Sequence, residues 1–232
     1  MKLLAIETAT EACSVAVHVD GTVIERFEIA PRRHAELTLP WAGQLLAEAG
    51  ISRRQLDAVA ISRGPGAFTG VRLAIAIAQG IALAIDRPLL AVSTLQALAL
   101  RAPVGQQQVL AAIDARMGEV YAGRFACADG QWQAIDAEQV MPPQALVLEG
   151  QGWFGVGTGF AALDGALVQA AGAALAGVDA GALPHAADVA SLAVAAFARG
   201  EAIAPERVEP AYLRNNVALT IAEQQALREA RA

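Results

Sequence analysis

Short apolar runs punctuated by turn residues open the chain. Leu3–Glu7 and Cys13–Val19 read as strands, and Asp20-Gly21 is a two-residue hairpin turn into a third strand, Thr22–Ile29. The period then changes. After a loop holding Pro31 and His34, apolar positions recur at helical spacing over Ala35–Ala49, and Gly50 closes that helix as a C-cap residue. A strand at Ala58–Ser62 meets the turn Gly64-Pro65-Gly66. An apolar helix over Val71–Ile85, a strand over Leu89–Val92 and a helix over Leu95–Arg101 follow.

Beyond Pro103–Gln108 the same order begins again. Val109–Asp114 is a strand ending in an acid, as Leu3–Glu7 does; Glu119–Ala126 is a second strand, Asp129-Gly130 a second hairpin turn and Gln131–Ile135 a third strand. Trp153–Val156 running into Gly157-Thr158-Gly159 repeats the strand-then-glycine step of Ala58–Gly66, and helices near Ala187–Arg199 and after Thr220 complete the pattern. Two meanders, each with an acid at the end of its first strand and helices afterwards, predict an α/β protein of two RNase H-like lobes facing a cleft. That is the architecture of the actin, sugar kinase and Hsp70 ATPases. The lobes divide as residues 1–102 and 103–232, the second including the tail helix.

Composition narrows the partners. The 232 residues are 55% hydrophobic but only 5% aromatic, with a mean hydropathy of +0.41, which suits Ala/Leu/Ile/Val helices packed on sheets and leaves apolar surface for another chain. A net charge of −6 and a pI near 5.1 speak against strong grip on RNA by this chain alone. The longest apolar stretch, Leu73–Ile85, contains Gln79 and falls short of the roughly 20 residues a membrane span needs. The chain enters a strand pattern directly after Met1-Lys2, so no signal peptide is expected, and Cys13 and Cys127 are too few for a disulfide framework. A cytosolic protein is the expectation.

Three segments are candidates for chemistry. In ETATEACS (Glu7–Ser14), Thr8 and Thr10 lie where two-lobed ATPases wrap phosphate, although threonine-rich hairpin loops are common in any fold. In ISRGPGAFTGVR (Ile61–Arg72), Gly64 and Gly66 allow close backbone approach before a helix N-terminus, so the segment is either an anion turn or simply a sharp strand-to-helix turn. It is neither a dinucleotide fingerprint nor a P-loop, since Thr69 stands in the third glycine position and no Lys-Ser/Thr follows. The helix Val71–Ile85 offers only Arg72 and Gln79 as polar residues, and burial within its lobe or a subunit interface would each account for it. The three histidines, His18, His34 and His185, have no metal-ligand spacing, and neither cysteine is paired with a histidine as a nucleophile would be.

LLAIETATEACSVAV, HAELTLPW, GPGAFTGVRLAIAIAQGIAL, VSTLQALA, DARMGEVYAG and PAYLRNN together resemble the TsaB family, also called YeaZ, over nearly the whole chain. Glu7 departs from the family's more usual Asp. The resemblance implies a non-catalytic paralogue of TsaD, the subunit that transfers threonylcarbamoyl to adenosine beside the tRNA anticodon. In TsaD a segment close to PLIGVNHLEGH holds the catalytic metal through two histidines. Here Pro88–Leu98 reads PLLAVSTLQAL, with Thr94 and Leu98 at those positions, and neither side chain replaces an imidazole.

The implied role is a scaffold and activator that pairs with TsaD, recruits the ATPase TsaE and dimerises with itself when alone. ATP and metal would sit on the partner subunits, and tRNA would be met only through the complex. The partner-binding helices belong to the first lobe, with Leu37, Trp41 and Leu45 on one helix and Arg72, Ile75 and Gln79 on the other as expected interface residues. A metal- or nucleotide-dependent enzyme of the same lineage, peptidase-like or a small-molecule kinase, is the competing expectation. It would draw on Thr8, Thr10, Gly64 and Gly66.

Overall fold

Successive side chains of β1 (Lys2–Glu7) point to opposite sides, as the strand period of two requires. Leu4 and Ile6 enter one apolar cluster and Leu3 and Ala5 another, so both faces of the strand must be covered. The computed structural model, which describes residues 1–128 and 130–214, shows how. β2 (Ala12–Val19) and β3 (Thr22–Ile29) continue antiparallel from β1, while β4 (Ala58–Ser62) and β5 (Leu89–Val92) run parallel to it, giving the order β3-β2-β1-β4-β5. Asp20 and Gly21 take φ of 48° and 97° in the first hairpin, the left-handed pair that matches strand twist.

The second sheet repeats this plan. β6 (Gln108–Arg116), β7 (Glu119–Ala128) and β8 (Gln131–Ala134) form the antiparallel meander, and β10 (Trp153–Val156) and β11 (Leu175–Asp179) add parallel to β6. The order β8-β7-β6-β10-β11 is that of the first sheet, with β9 (Gln139–Met141) as an additional strand on β7. The fold is therefore two RNase H-like lobes of the actin/sugar kinase/Hsp70 ATPase type. β9 and β11 carry no periodic signal long enough to be read from the sequence. Asp129 of the second hairpin turn and the tail helix expected after Thr220 lie outside the described residues.

Two helices, α1 (His34–Glu48) and α2 (Phe68–Ile85), cover one face of the first sheet. α2 starts at Phe68, ahead of the Val71 expected, because the Ala67 amide is already bound to the Ala9 carbonyl at 2.7 Å. Gly50, at φ 68°, ends α1 with its amide on Ala47. By length and hydropathy alone α2 would suit a membrane span. Instead its inner side, Val71, Ala74, Ile75, Ala78 and Ala82, is packed on the sheet.

The remaining helices tie the lobes together. α3 (Thr94–Ala99) follows β5 but lays Leu95, Leu98 and Ala99 against Val109, Ala111 and Phe125 of the second sheet. α4 (Ala166–Ala171) packs Leu167 on the far side of that sheet. α5 (Ala186–Ala198) comes from the stretch expected to build the second lobe, yet it packs on the second face of the first sheet with Val189, Ala190 and Ala193. Its start is pinned there by polar groups. Ser14 Oγ accepts the Ala186 amide at 2.9 Å, Glu25 accepts the Ala187 amide at 3.0 Å, and the His185 ring meets the same carboxylate at 2.9 Å. An acid at a helix N-terminus complements the helix dipole.

Candidate functional site

The expected anion turn is closed on itself. Thr8 and Thr10 are buried; the Thr8 hydroxyl donates to the Gly70 carbonyl at 2.8 Å, and Thr10 accepts the Ala12 amide at 3.3 Å. Gly66 and Gly70 explain the closeness: a Cβ on Gly66 would stand 2.5 Å from the Ala9 carbonyl, and one on Gly70 1.9 Å from that of Thr8. The glycines of this segment bring α2 onto the β1–β2 turn, and Gly64 turns the chain at φ 100°. Gly157 and Gly159 do the same in the second lobe, packing on Ala112 of β6. The glycine echo in the sequence is therefore an echo of packing.

Glu7 lies at the bottom of this junction, fully buried. One carboxyl oxygen accepts the Ala9 amide at 2.5 Å, while the other, with the hydroxyls of Ser62 and Thr94, closes no well-formed hydrogen bond. Burial pushes the Glu7 carboxyl up to about 7, against the lowering influence of Ser62, the Ala9 amide and His185. A proton held on Glu7 suits an acid beside a hydroxyl in an apolar setting. Thr94 and Leu98 are also fully buried, and Leu98 belongs to the apolar cluster between the lobes. Those two side chains do not fit a metal site: one hydroxyl and one aliphatic group, both enclosed, supply no ligand pair. Above them Ser93 caps α3 by accepting the Gln96 amide, and Glu138 from the second lobe bonds to Ser93.

The outer side of α1 and α2 has the opposite character. On α2 the exposed positions Phe68, Arg72, Ala76, Gly80 and Leu83 fall at helical spacing in one stripe, and on α1 the exposed stripe is Leu39, Gly43 and Ala47. Phe68 is 61% exposed, Leu83 60% and Leu39 54%. Apolar groups of this size, aligned on two adjacent helices with small residues between them, form an exposed apolar surface that spans both helices.

The structure redistributes the interface residues expected from sequence. Arg72 lies on the outer stripe. Leu45 and Ile75 do not: both are buried in the cluster under the helices, facing their own sheet. Leu37 packs with Cys13 and Ala30, and Trp41 leans into the same interior. Gln79 is half-buried and donates to the Pro205 carbonyl at 2.8 Å. The sheet beneath the helices is the cause. The most regular apolar stripe of a helix is the one that its own sheet claims, so Leu37, Trp41 and Leu45 mark the inner face of α1. The sequence carried one usable signal for the outer face, the mid-helix glycines Gly43 and Gly80.

A family model described as "TsaD: tRNA N6-adenosine threonylcarbamoyltransferase" matches residues 26–223. The chain is 45% identical over 231 residues to the tRNA threonylcarbamoyladenosine biosynthesis protein TsaB of Escherichia coli, covering 94% of this chain and 96% of that one. The chain belongs to the TsaB (YeaZ) family. The TsaB protein of Haemophilus influenzae is 40% identical over 233 residues, covering 94% and 95% of the two chains. The solved structure of YeaZ from Pseudomonas aeruginosa superposes with a TM-score of 0.85 at 45% identity, covering 91% of this chain and 99% of that one. As a TsaB-family member that also matches the TsaD model, the chain keeps the transferase fold while placing Thr94 and Leu98 in its inter-lobe core.

Proposed function

We propose that this chain is a non-catalytic subunit of the machinery that forms threonylcarbamoyladenosine in tRNA. In this proposal the outer face of α1 and α2 pairs with a TsaD-type transferase, and the pair recruits the ATPase TsaE. In the absence of TsaD the same face joins two copies of the chain. ATP and the catalytic metal belong to the partner subunits, and tRNA is engaged through the complex. The observation that carries the reading is the apolar outer stripe, in which Leu39 on α1 lines up with Phe68 and Leu83 on α2 at helical spacing across two adjacent helices, all three exposed. The junction where a two-lobed enzyme would place its chemistry supports it: Thr8 and Thr10 are committed to internal hydrogen bonds, and Leu98 is packed in core.

Reconstitution of adenosine modification from purified subunits, each omitted in turn, tests the assignment. Omission of this chain should abolish or strongly slow modification, and Leu83→Glu should do the same while melting like wild type. Full modification without this chain, or full activity with a Leu83→Glu protein that no longer associates with its partner, would sink the proposal.

A further inference from the structure

The segment that follows α5 forms a strap across the first lobe. Ile203 exchanges two backbone hydrogen bonds of 2.9 Å with Leu89 at the sheet edge, and Gln79 holds the Pro205 carbonyl at 2.8 Å. Farther on, the Ala211 amide donates to the Arg63 carbonyl at 2.8 Å, and Arg214 crosses to the second lobe, where it bonds the Ala115 carbonyl at 3.2 Å and pairs with Glu119. Tyr212 lies between these fixed points. Its hydroxyl accepts from Arg72 Nε at 2.9 Å and Nη2 at 2.6 Å, and the Arg72 guanidinium carbon stands 3.7 Å from the centroid of the Phe68 ring.

This cluster, with Arg72 over the Phe68 ring and hydrogen-bonded to the Tyr212 hydroxyl, ends the outer stripe of α2. Tyr212 is 51% exposed although it is tethered on both sides. Among the described residues no carboxylate pairs with Arg72, in a chain with more acids than bases. A guanidinium laid over the Phe68 ring, steadied at its Nε/Nη2 edge by the Tyr212 hydroxyl and without a carboxylate partner among the described residues, is a recognition group for a carboxylate through its remaining donors. Arginine and tyrosine dominate interface hot spots, and ordering a group before association lowers the entropic cost of binding.

We propose that the Phe68–Arg72–Tyr212 cluster, with Tyr212 supplied by the C-terminal strap, is the polar anchor of the subunit interface and receives an acidic side chain of the partner. The proposal rests on the outer α1/α2 face being the partner surface. It assigns the strap a part in recognition and defines the partner's contact as an apolar helical surface with a carboxylate at the end that meets Arg72.

Titration calorimetry with the purified cognate TsaD-type subunit, against wild type, Arg72→Gln, Tyr212→Ala and their double variant, tests it. Each single variant should bind at least about tenfold more weakly with an unchanged melt. The double variant should lose much less than the sum of the two, since the residues act as one unit. Wild-type affinity should fall more steeply with salt than that of Arg72→Gln. If Tyr212→Ala lowers the melting temperature, Tyr212→Phe replaces it, and the weakening must then track loss of the hydroxyl. Leu83→Glu distinguishes the anchor from the face as a whole. Loss of binding by Leu83→Glu with wild-type binding by Arg72→Gln and Tyr212→Ala overturns the anchor and leaves the face in place. Wild-type binding by all three overturns both, and equal salt slopes overturn the carboxylate.

Discussion

Glu7 and the glycines beside it show how much one position can govern. With its carboxyl raised from 4.5 to about 7 by burial, Glu7 keeps its proton in the folded chain over a range where the unfolded chain has lost it. Its contribution therefore favours folding most at low pH, declines as pH rises from about 4.5 to about 7, and is level above that, a span of about 3 kcal/mol. Glu7→Gln keeps the shape without the titration. Its melting temperature should fall less than that of wild type between pH 5 and 7, and parallel profiles would mean that Glu7 is already ionised in the fold. Gly70 and Gly80 separate packing from propensity. Alanine gains about 1 kcal/mol over glycine within a helix, but at Gly70 its Cβ would meet the Thr8 carbonyl. Gly70→Ala should therefore destabilise by about 2 kcal/mol or more. At Gly80 nothing lies within 4 Å of an added Cβ. Gly80→Ala should raise the melting temperature by about 2–4 °C and, in the pairing proposed for the stripe, weaken subunit association by holding the helices apart. Calorimetric melts of both variants check the pair of signs.

At the scale of the element, α2 is a helix with two apolar sides and two different tasks. Its inner side carries the β-sheet packing; its outer side carries the stripe from Phe68 to Leu83. A charge therefore has opposite consequences on the two sides. Ile75→Glu buries an unpaired carboxylate in the main cluster and should cost about 4 kcal/mol or more, with loss of the cooperative melt. Leu83→Glu should leave circular dichroism and the melt intact and remove association. Size-exclusion chromatography beside thermal melts decides the matter: dimer loss only in variants that also unfold would place the interface elsewhere. Apolar residues cover α2 nearly all round, so periodicity could not orient it. The sheet did, by taking Val71, Ala74, Ile75 and Ala78.

For the whole molecule, the lobes are held by exchanged elements more than by the linker between them. α3 carries its apolar side to the second sheet, α5 returns to the first, and the strap reaches the β6–β7 hairpin through Arg214. The Arg214–Glu119 pair is partly exposed, at 15% and 31% of side-chain surface, so its share of global stability is about 1 kcal/mol. Its effect on order should be larger than its effect on stability. Arg214→Ala should melt within a few degrees of wild type and show faster hydrogen–deuterium exchange in the strap and in the hairpin around Arg116–Gly118. Unchanged exchange in both segments would mean that backbone contacts alone hold the lobes.

Local pattern determined much of this protein. Strand and helix periods, the Asp20-Gly21 turn, the capping Gly50 and the repeated strand–glycine step are short-range signals, and they sufficed for two RNase H-like lobes. The substitution of Thr94 and Leu98 into the segment resembling PLIGVNHLEGH was equally legible, because it is a matter of residue identity. Tertiary structure alone decided which side of α1 and α2 faces outward, that α5 covers the first sheet, and that Tyr212 meets Arg72 from a strap 140 residues later in the chain. These depend on long-range packing. A uniformly apolar helix has no internal preference for one face, and a side chain's partner across such a separation is set by where the sheets leave room.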